Sequence, residues 1–112
     1  MDTYKPAFAK PSYKRIKTKV HKIQMQEHRE CWATKQTEGL HMHHIFYGTG
    51  KRALSEKYGL TVWLRPDWHN MSNYGVHFDH VFDLQLKREA QKRFEQEYGH
   101  KEWMKIFGRS YL

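Results

Sequence analysis

The chain has 112 residues, enough for one domain with one modest hydrophobic core. Hydrophobic residues make up 38% and aromatic residues 15%, which favours a folded, aromatic-rich core over disorder. Twenty Lys and Arg against twelve Asp and Glu give a net charge of +8, which favours a polyanionic partner, nucleic acid above all. The single cysteine excludes an internal disulfide, and no apolar run reaches the length of a membrane span. With a polar N-terminus that lacks a signal-peptide core, these features predict a soluble cytoplasmic protein without membrane contact.

Residues 1–30 are predicted to form a basic N-terminal arm. Eight basic and three acidic residues give this segment a net charge of +5. Basic and apolar residues interleave between positions 13 and 20, a pattern that suits a phosphate-contacting arm and suits a solvated tail equally well. The candidate DNA contacts in the arm are Lys14, Arg15, Lys17 and Lys19.

Residues 31–112 are predicted to form the folded domain, of the α+β class. The patterns predict a strand at 39–46, a glycine-bearing loop at 47–52 and a short helix at 53–58 that Gly59 ends. A β-branched strand follows at 60–64, and Pro66 starts a helix that covers about 67–72. A turn at 73–75 leads to a long helix at 82–98 and a final helix at 101–107, each with an apolar stripe that packs on the core.

The strongest chemical signal is the histidine-rich first strand. Six of the nine histidines lie between positions 41 and 80. Side chains alternate along an extended strand, so His41 and His43 should share one face and His44 the other. A hairpin followed by a helix would bring His69 to the His43-His44 doublet. Asn73 would share the helix face of His69 if the helix extends that far.

At this point the chain resembles the HNH endonucleases, the ββα-metal finger nucleases, and in particular the small basic HNH proteins of bacteriophages and prophages. The segments that carry the likeness are LHMHHIF at 40–46, SEKYGL at 55–60, WLRPDWHN at 63–70, GVH at 75–77 and FGRSYL at 107–112. The likeness spans about residues 31–112 and leaves out the basic arm. It implies a small ββα-metal core with additional C-terminal helices.

The resemblance also implies a metal-dependent endonuclease that hydrolyses DNA phosphodiester bonds. By position, His43 and His69 match metal ligands, Asn73 matches a possible further ligand, and His44 matches the general base. His77 is a hypothetical third protein ligand or phosphate contact, and a structural histidine bonded to backbone is an equal alternative. The implied cofactor is one divalent ion, Mg²⁺ or Mn²⁺ first, with Zn²⁺ or Ni²⁺ as alternatives.

The sequence departs from the family pattern in two ways. No Asn lies between His44 and His69, so a backbone carbonyl or another side chain must orient the base. Paired zinc-binding cysteines are also missing, and Cys31 is either a buried apolar residue or a partner of histidines in a mixed zinc site. Stability must then come from an aromatic core, for which the candidates are Trp63, Trp68, Phe94 and Trp103.

Further candidate DNA contacts flank the doublet and the second strand, namely Lys51, Arg52 and Arg65, although solvated surface charge is the default interpretation. The missing Asn keeps a second hypothesis open: a catalytically weak or inactive HNH scaffold that binds nucleic acid or protein around a structural metal. The sequence does not distinguish a monomer from a homodimer.

Overall fold

The computed structural model describes residues 20–72 and 75–112. It shows an α+β fold with a two-stranded sheet and several helices. The strands β1 (His41–His44) and β2 (Thr61–Leu64) are antiparallel, with His41 opposite Leu64 and His44 opposite Thr61. The predicted arm contacts Lys14, Arg15, Lys17 and Lys19 and the predicted ligand Asn73 lie outside the described residues.

The helices follow the predicted order with shifted ends. Helix α1 (Lys51–Tyr58) connects the two strands, α2 (Pro66–His69) follows β2, and a 3₁₀ turn (Val76–Phe78) leads to α3 (His80–Tyr98) and α4 (His100–Phe107). Among the described residues, none of these helices combines the length and apolar character needed to cross a bilayer.

Helix α2 is shorter than predicted. It ends at His69, because Asn70 is its C-cap and donates its backbone N–H to the carbonyl of Pro66. The helix therefore ends before position 73, so the condition under which Asn73 would share a helix face with His69 is not met. Helix α2 is a single turn, and the backbone N–H groups of Asn70 and Met71 both donate to the Pro66 carbonyl at its end.

The core lies between the sheet and helices α3 and α4. Phe94 and Trp103 are fully buried as predicted, and Trp103 stacks on Phe107 with ring centroids 4.0 Å apart. Trp63 and Trp68 are only half-buried. In β2 the residues that face the core are Val62 and Leu64, so alternation turns Trp63 to the other face, where the Arg29 guanidinium lies 4.3 Å from its ring.

The last part of the predicted arm packs on the domain. Ile23 and Met25 are buried in the core, and the backbone N–H of Ile23 donates to the carbonyl of Tyr58 over 2.8 Å. Gly59 permits this approach, since a Cβ at that position would lie 2.4 Å from the carbonyl oxygen of Ile23. The described residues from position 20 onward thus belong to the domain structure.

Cys31 occupies the core. Its side chain is fully buried, and its Sγ accepts the backbone N–H of Arg65 over 3.4 Å. Within the described part of the chain, the group of side chains placed to hold a metal consists of histidines and does not include Cys31. The interpretation of Cys31 as a small buried residue therefore fits the structure better than the mixed zinc site.

Candidate metal centre

The face of β1 that carries His41 and His43 packs against His69 at the end of α2. The ring centroid of His69 lies 5.3 Å from that of His41 and 5.2 Å from that of His43. Strand alternation places His41 and His43 on the same face, and the single turn of α2 that follows β2 brings His69 into contact with both. The predicted shared face of His41 and His43 is confirmed.

His77 completes a cluster with His43 and His69, which we call the histidine cluster. Each of the three side chains offers a ring nitrogen, and these atoms all lie within 4.8 Å of one another. Nε2 of His77 lies 3.0 Å from Nε2 of His69. Two imidazole ligands bound at about 2.1 Å to one ion have nitrogens about 3.0–3.4 Å apart, so this spacing fits a shared cation.

His43 carries the clearest sign of a missing partner. Its side chain is 1% exposed, and its Nε2 is the one buried side-chain nitrogen or oxygen without a hydrogen-bond partner in residues 20–72 and 75–112. A buried polar atom left unpaired costs about 1–3 kcal/mol, so native proteins rarely keep one without a reason. A cation bound by the histidine cluster would satisfy it.

The surroundings of His43 and His69 disfavour their protonated forms. Burial, reinforced by the neighbouring His69 and His77, lowers the pKa of His43 to about 3. Burial, reinforced by His77 and His41, lowers the pKa of His69 to about 4. Both rings are thus unprotonated at neutral pH, which is the form that binds a metal.

His41 contacts the cluster from outside. Its Nδ1 lies 3.1 Å from Nδ1 of His69, while Nε2 of His69 faces His77. A hydrogen bond at Nδ1 leaves Nε2 of His69 free to ligate, which is how outer partners usually orient metal-binding histidines. The sequence interpretation left His41 without a role in the site.

His44 projects from the other face of β1 towards α1. Its Nε2 lies 2.6 Å from Oε1 of Glu56, and its side chain is 10% exposed. The hydrogen bond from His44 holds the pKa of the Glu56 carboxyl below its ordinary range. The Glu56 side chain thus holds this imidazole.

A cleft of about 180 Å³ joins the histidine cluster to His44. Its other walls are Met42, Tyr47 and Arg52. Tyr47 donates its hydroxyl hydrogen to Oδ1 of Asp83 over 3.1 Å, and burial, with Asp83 nearby, raises the pKa of Tyr47 to about 12. Tyr47 is therefore a neutral wall residue, and Arg52 supplies positive charge at the mouth.

The three predicted DNA-contacting cations of the described domain differ in their surroundings. Arg52 is exposed and lines the cleft, and Lys51 is half-buried at the first position of α1. Arg65 is held by Asp67, with Nε and a terminal nitrogen each 3.1 Å from a carboxylate oxygen. Of these three, Arg52 is the best placed to contact a phosphate in the cleft.

Sequence reasoning missed Glu56 and Tyr47. Glu56 is one of several carboxylates on exposed helical positions. The sequence feature that could have indicated its role is that α1 is the first helix after the histidine-bearing strand. Tyr47 follows a bend at Ile45 and Phe46, which are both buried, and its ring lies 5.2 Å from that of His77.

Comparisons with protein-family models, with curated proteins and with solved structures gave no match. The chemistry of the site is therefore inferred from its own residues.

Proposed function

We propose that this protein is a metal-dependent endonuclease of the HNH type that hydrolyses DNA phosphodiester bonds. In this proposal β1, β2 and α2 form the ββα-metal unit, and α3 and α4 are additional helices that support it. His43, His69 and His77 bind one divalent cation, and His44 is the general base. Asn73, the further ligand that the resemblance implies, lies outside the described residues.

The observation that carries the proposal is the shared cleft. The imidazoles of His43, His69 and His77 converge at one end of the cleft, and His44, the residue after His43 in β1, lines the same space. A structural metal site needs its ligands and nothing more, whereas a hydrolytic site also needs a base beside open space for substrate. His44 beside the histidine cluster meets that second requirement.

The residues of the cleft divide the chemistry among them. A cation held by His43, His69 and His77 would neutralise charge on the phosphate and would stabilise negative charge on the 3′ oxygen. His44 takes the proton from the attacking water, since an imidazole can do so near neutral pH. Arg52 lies where it can pair with a phosphate oxygen, and the net charge of +8 attracts the DNA backbone.

The donor set also bears on the choice of metal. Three imidazole nitrogens suit Zn²⁺, Ni²⁺ and similar transition ions, whereas Mg²⁺ prefers carboxylate, carbonyl and water oxygens. We therefore propose a transition ion as the resident cofactor and rank Mg²⁺ below it. This order differs from the one that the resemblance implies.

The test is cleavage of a supercoiled plasmid in Zn²⁺, Ni²⁺, Mn²⁺ or Mg²⁺. The wild-type protein should nick the plasmid with at least one transition ion, and His44→Ala should lower the rate by about 100-fold or more, because it removes the base. His28→Ala is the matched control, since His28 is exposed and lies outside the cleft. Equal cutting by wild type and His44→Ala would remove His44 from the mechanism.

A different outcome would favour a binding module. If DNA binding is salt-sensitive but no metal supports cutting, and chelation unfolds the chain, the cation is structural and the protein is a nucleic-acid-binding scaffold.

A further inference from the structure

The Glu56 carboxylate contacts the imidazole of His44, and buried contacts of the neighbouring residue fix the helix that carries Glu56. The neighbouring Ser55 is fully buried, and its Oγ donates to the carbonyl of Phe46 over 2.7 Å and accepts the N–H of Phe46 over 2.9 Å. These bonds fix α1 against the chain two residues after His44. Glu56 is the next residue of the helix, so its position relative to His44 is set by buried contacts.

The pair also differs from the other His–carboxylate pairs of the described chain. The imidazoles that pair with Glu97, Glu27 and Glu95 are 61–76% exposed, so water competes strongly for those contacts. The side chain of His44 is 10% exposed, and the N···O distance to Glu56 is 2.6 Å. Only this pair, among those in the described residues, lies beside the cleft.

The two ring nitrogens of His44 have different surroundings. Nε2 contacts the Glu56 carboxylate. Nδ1 has no hydrogen-bond partner among the described residues and is not one of the buried unpartnered atoms, so solvent reaches it. Because an ionised carboxylate only accepts hydrogen bonds, the contact holds a proton on Nε2 and leaves the lone pair on Nδ1.

We propose that Glu56 is the positioning residue of the active site: it fixes the tautomer and the orientation of His44, so that Nδ1 takes the proton from the attacking water. The water O–H bond breaks as its oxygen bonds to phosphorus, and the proton moves to Nδ1. The P–O bond to the 3′ oxygen breaks with its electron pair on that oxygen, which takes a proton from solvent to leave as a hydroxyl. Glu56 keeps its hydrogen bond to Nε2 and stabilises the imidazolium that forms. This inference rests on the proposed nuclease function.

The first test is steady-state cleavage by Glu56→Gln with the metal that best supports the wild-type protein. We expect kcat to fall about tenfold or more with KM and the melting temperature unchanged, since the lost group acts on the base and not on DNA. The matched control is Glu97→Gln, which removes the carboxylate of the exposed pair with His21 and should leave kcat unchanged. A kcat within twofold of wild type, or an effect on KM alone, would overturn the proposal.

The second test does not depend on activity. Two-bond ¹H–¹⁵N spectra of the ¹⁵N-labelled full chain should place the proton of neutral His44 on Nε2, with its signal shifted downfield by the carboxylate. In Glu56→Ala that shift should disappear and both tautomers should be populated. A proton on Nδ1 in the wild type, or identical His44 signals in both proteins, contradicts the positioning role. If wild type cuts no DNA but these spectra match expectation, the nuclease function fails while the pairing stands.

Discussion

The unpartnered nitrogen of His43 makes a prediction about stability that is separate from catalysis. Replacing His43 with Leu removes a buried polar atom and keeps a similar side-chain volume. An unpaired buried nitrogen costs about 1–3 kcal/mol, so metal-free His43→Leu should be more stable than the metal-free wild type by about 1 kcal/mol at pH 7. His43, as a proposed metal ligand, would thus lower the stability of the protein when no metal is bound.

Two further measurements on the same pair of proteins sharpen the test. A cation at about 100 times its Kd should stabilise the wild type by about 2.7 kcal/mol and should stabilise His43→Leu much less. A bound cation should raise the free energy of unfolding, whereas acid should lower it. Below pH 6.5 the unfolded chain binds a proton at His43, whereas the folded chain does not until about pH 3. The metal-free wild type should therefore lose on the order of 2 kcal/mol between pH 6.5 and 5, and His43→Leu should lose less.

The assay is urea unfolding followed by tryptophan fluorescence, with EDTA or with added Zn²⁺, at both pH values. His28→Leu serves as the control for the same substitution at an exposed position, where the expected change is within about 0.5 kcal/mol. If His43→Leu is destabilised in EDTA, or keeps the full stabilisation by Zn²⁺, then His43 is an ordinary core residue and the argument from its unpaired nitrogen is refuted.

Three other substitutions test the surroundings of the site. His41→Ala should weaken Zn²⁺ binding about tenfold or more in a competitive titration, because His69 loses the contact at its Nδ1; unchanged affinity would show that the contact is incidental. Ser55→Ala should lower the free energy of unfolding by about 1–3 kcal/mol in urea, since the Phe46 amide and carbonyl lose a buried partner; a loss below about 0.5 kcal/mol would contradict this. Gly59→Ala should lower the melting temperature, because the position has φ +76° and a Cβ would meet the Ile23 carbonyl; an unchanged temperature would show that this approach relaxes freely.

Most helices and strands of the domain could be predicted from local sequence patterns. The helix that Gly59 ends and the strand that Pro66 ends appear where turn chemistry placed them. Glycine can adopt the left-handed conformation that ends a helix, and proline fixes φ and lacks the N–H that a strand would use, so both effects are local. The length of α2 could not be predicted in this way. Its single turn depends on how the chain packs after Asn70, which no local pattern reports.

The sequence by itself determined the charge, the α+β class and the face that His41 and His43 share, because composition and strand alternation are local properties. Only the tertiary structure decided that His77 joins His43 and His69 and that Glu56 contacts His44. Each of these contacts depends on where a turn or helix directs the chain in three dimensions. Positions along the sequence do not fix that direction, since packing of the whole domain selects it.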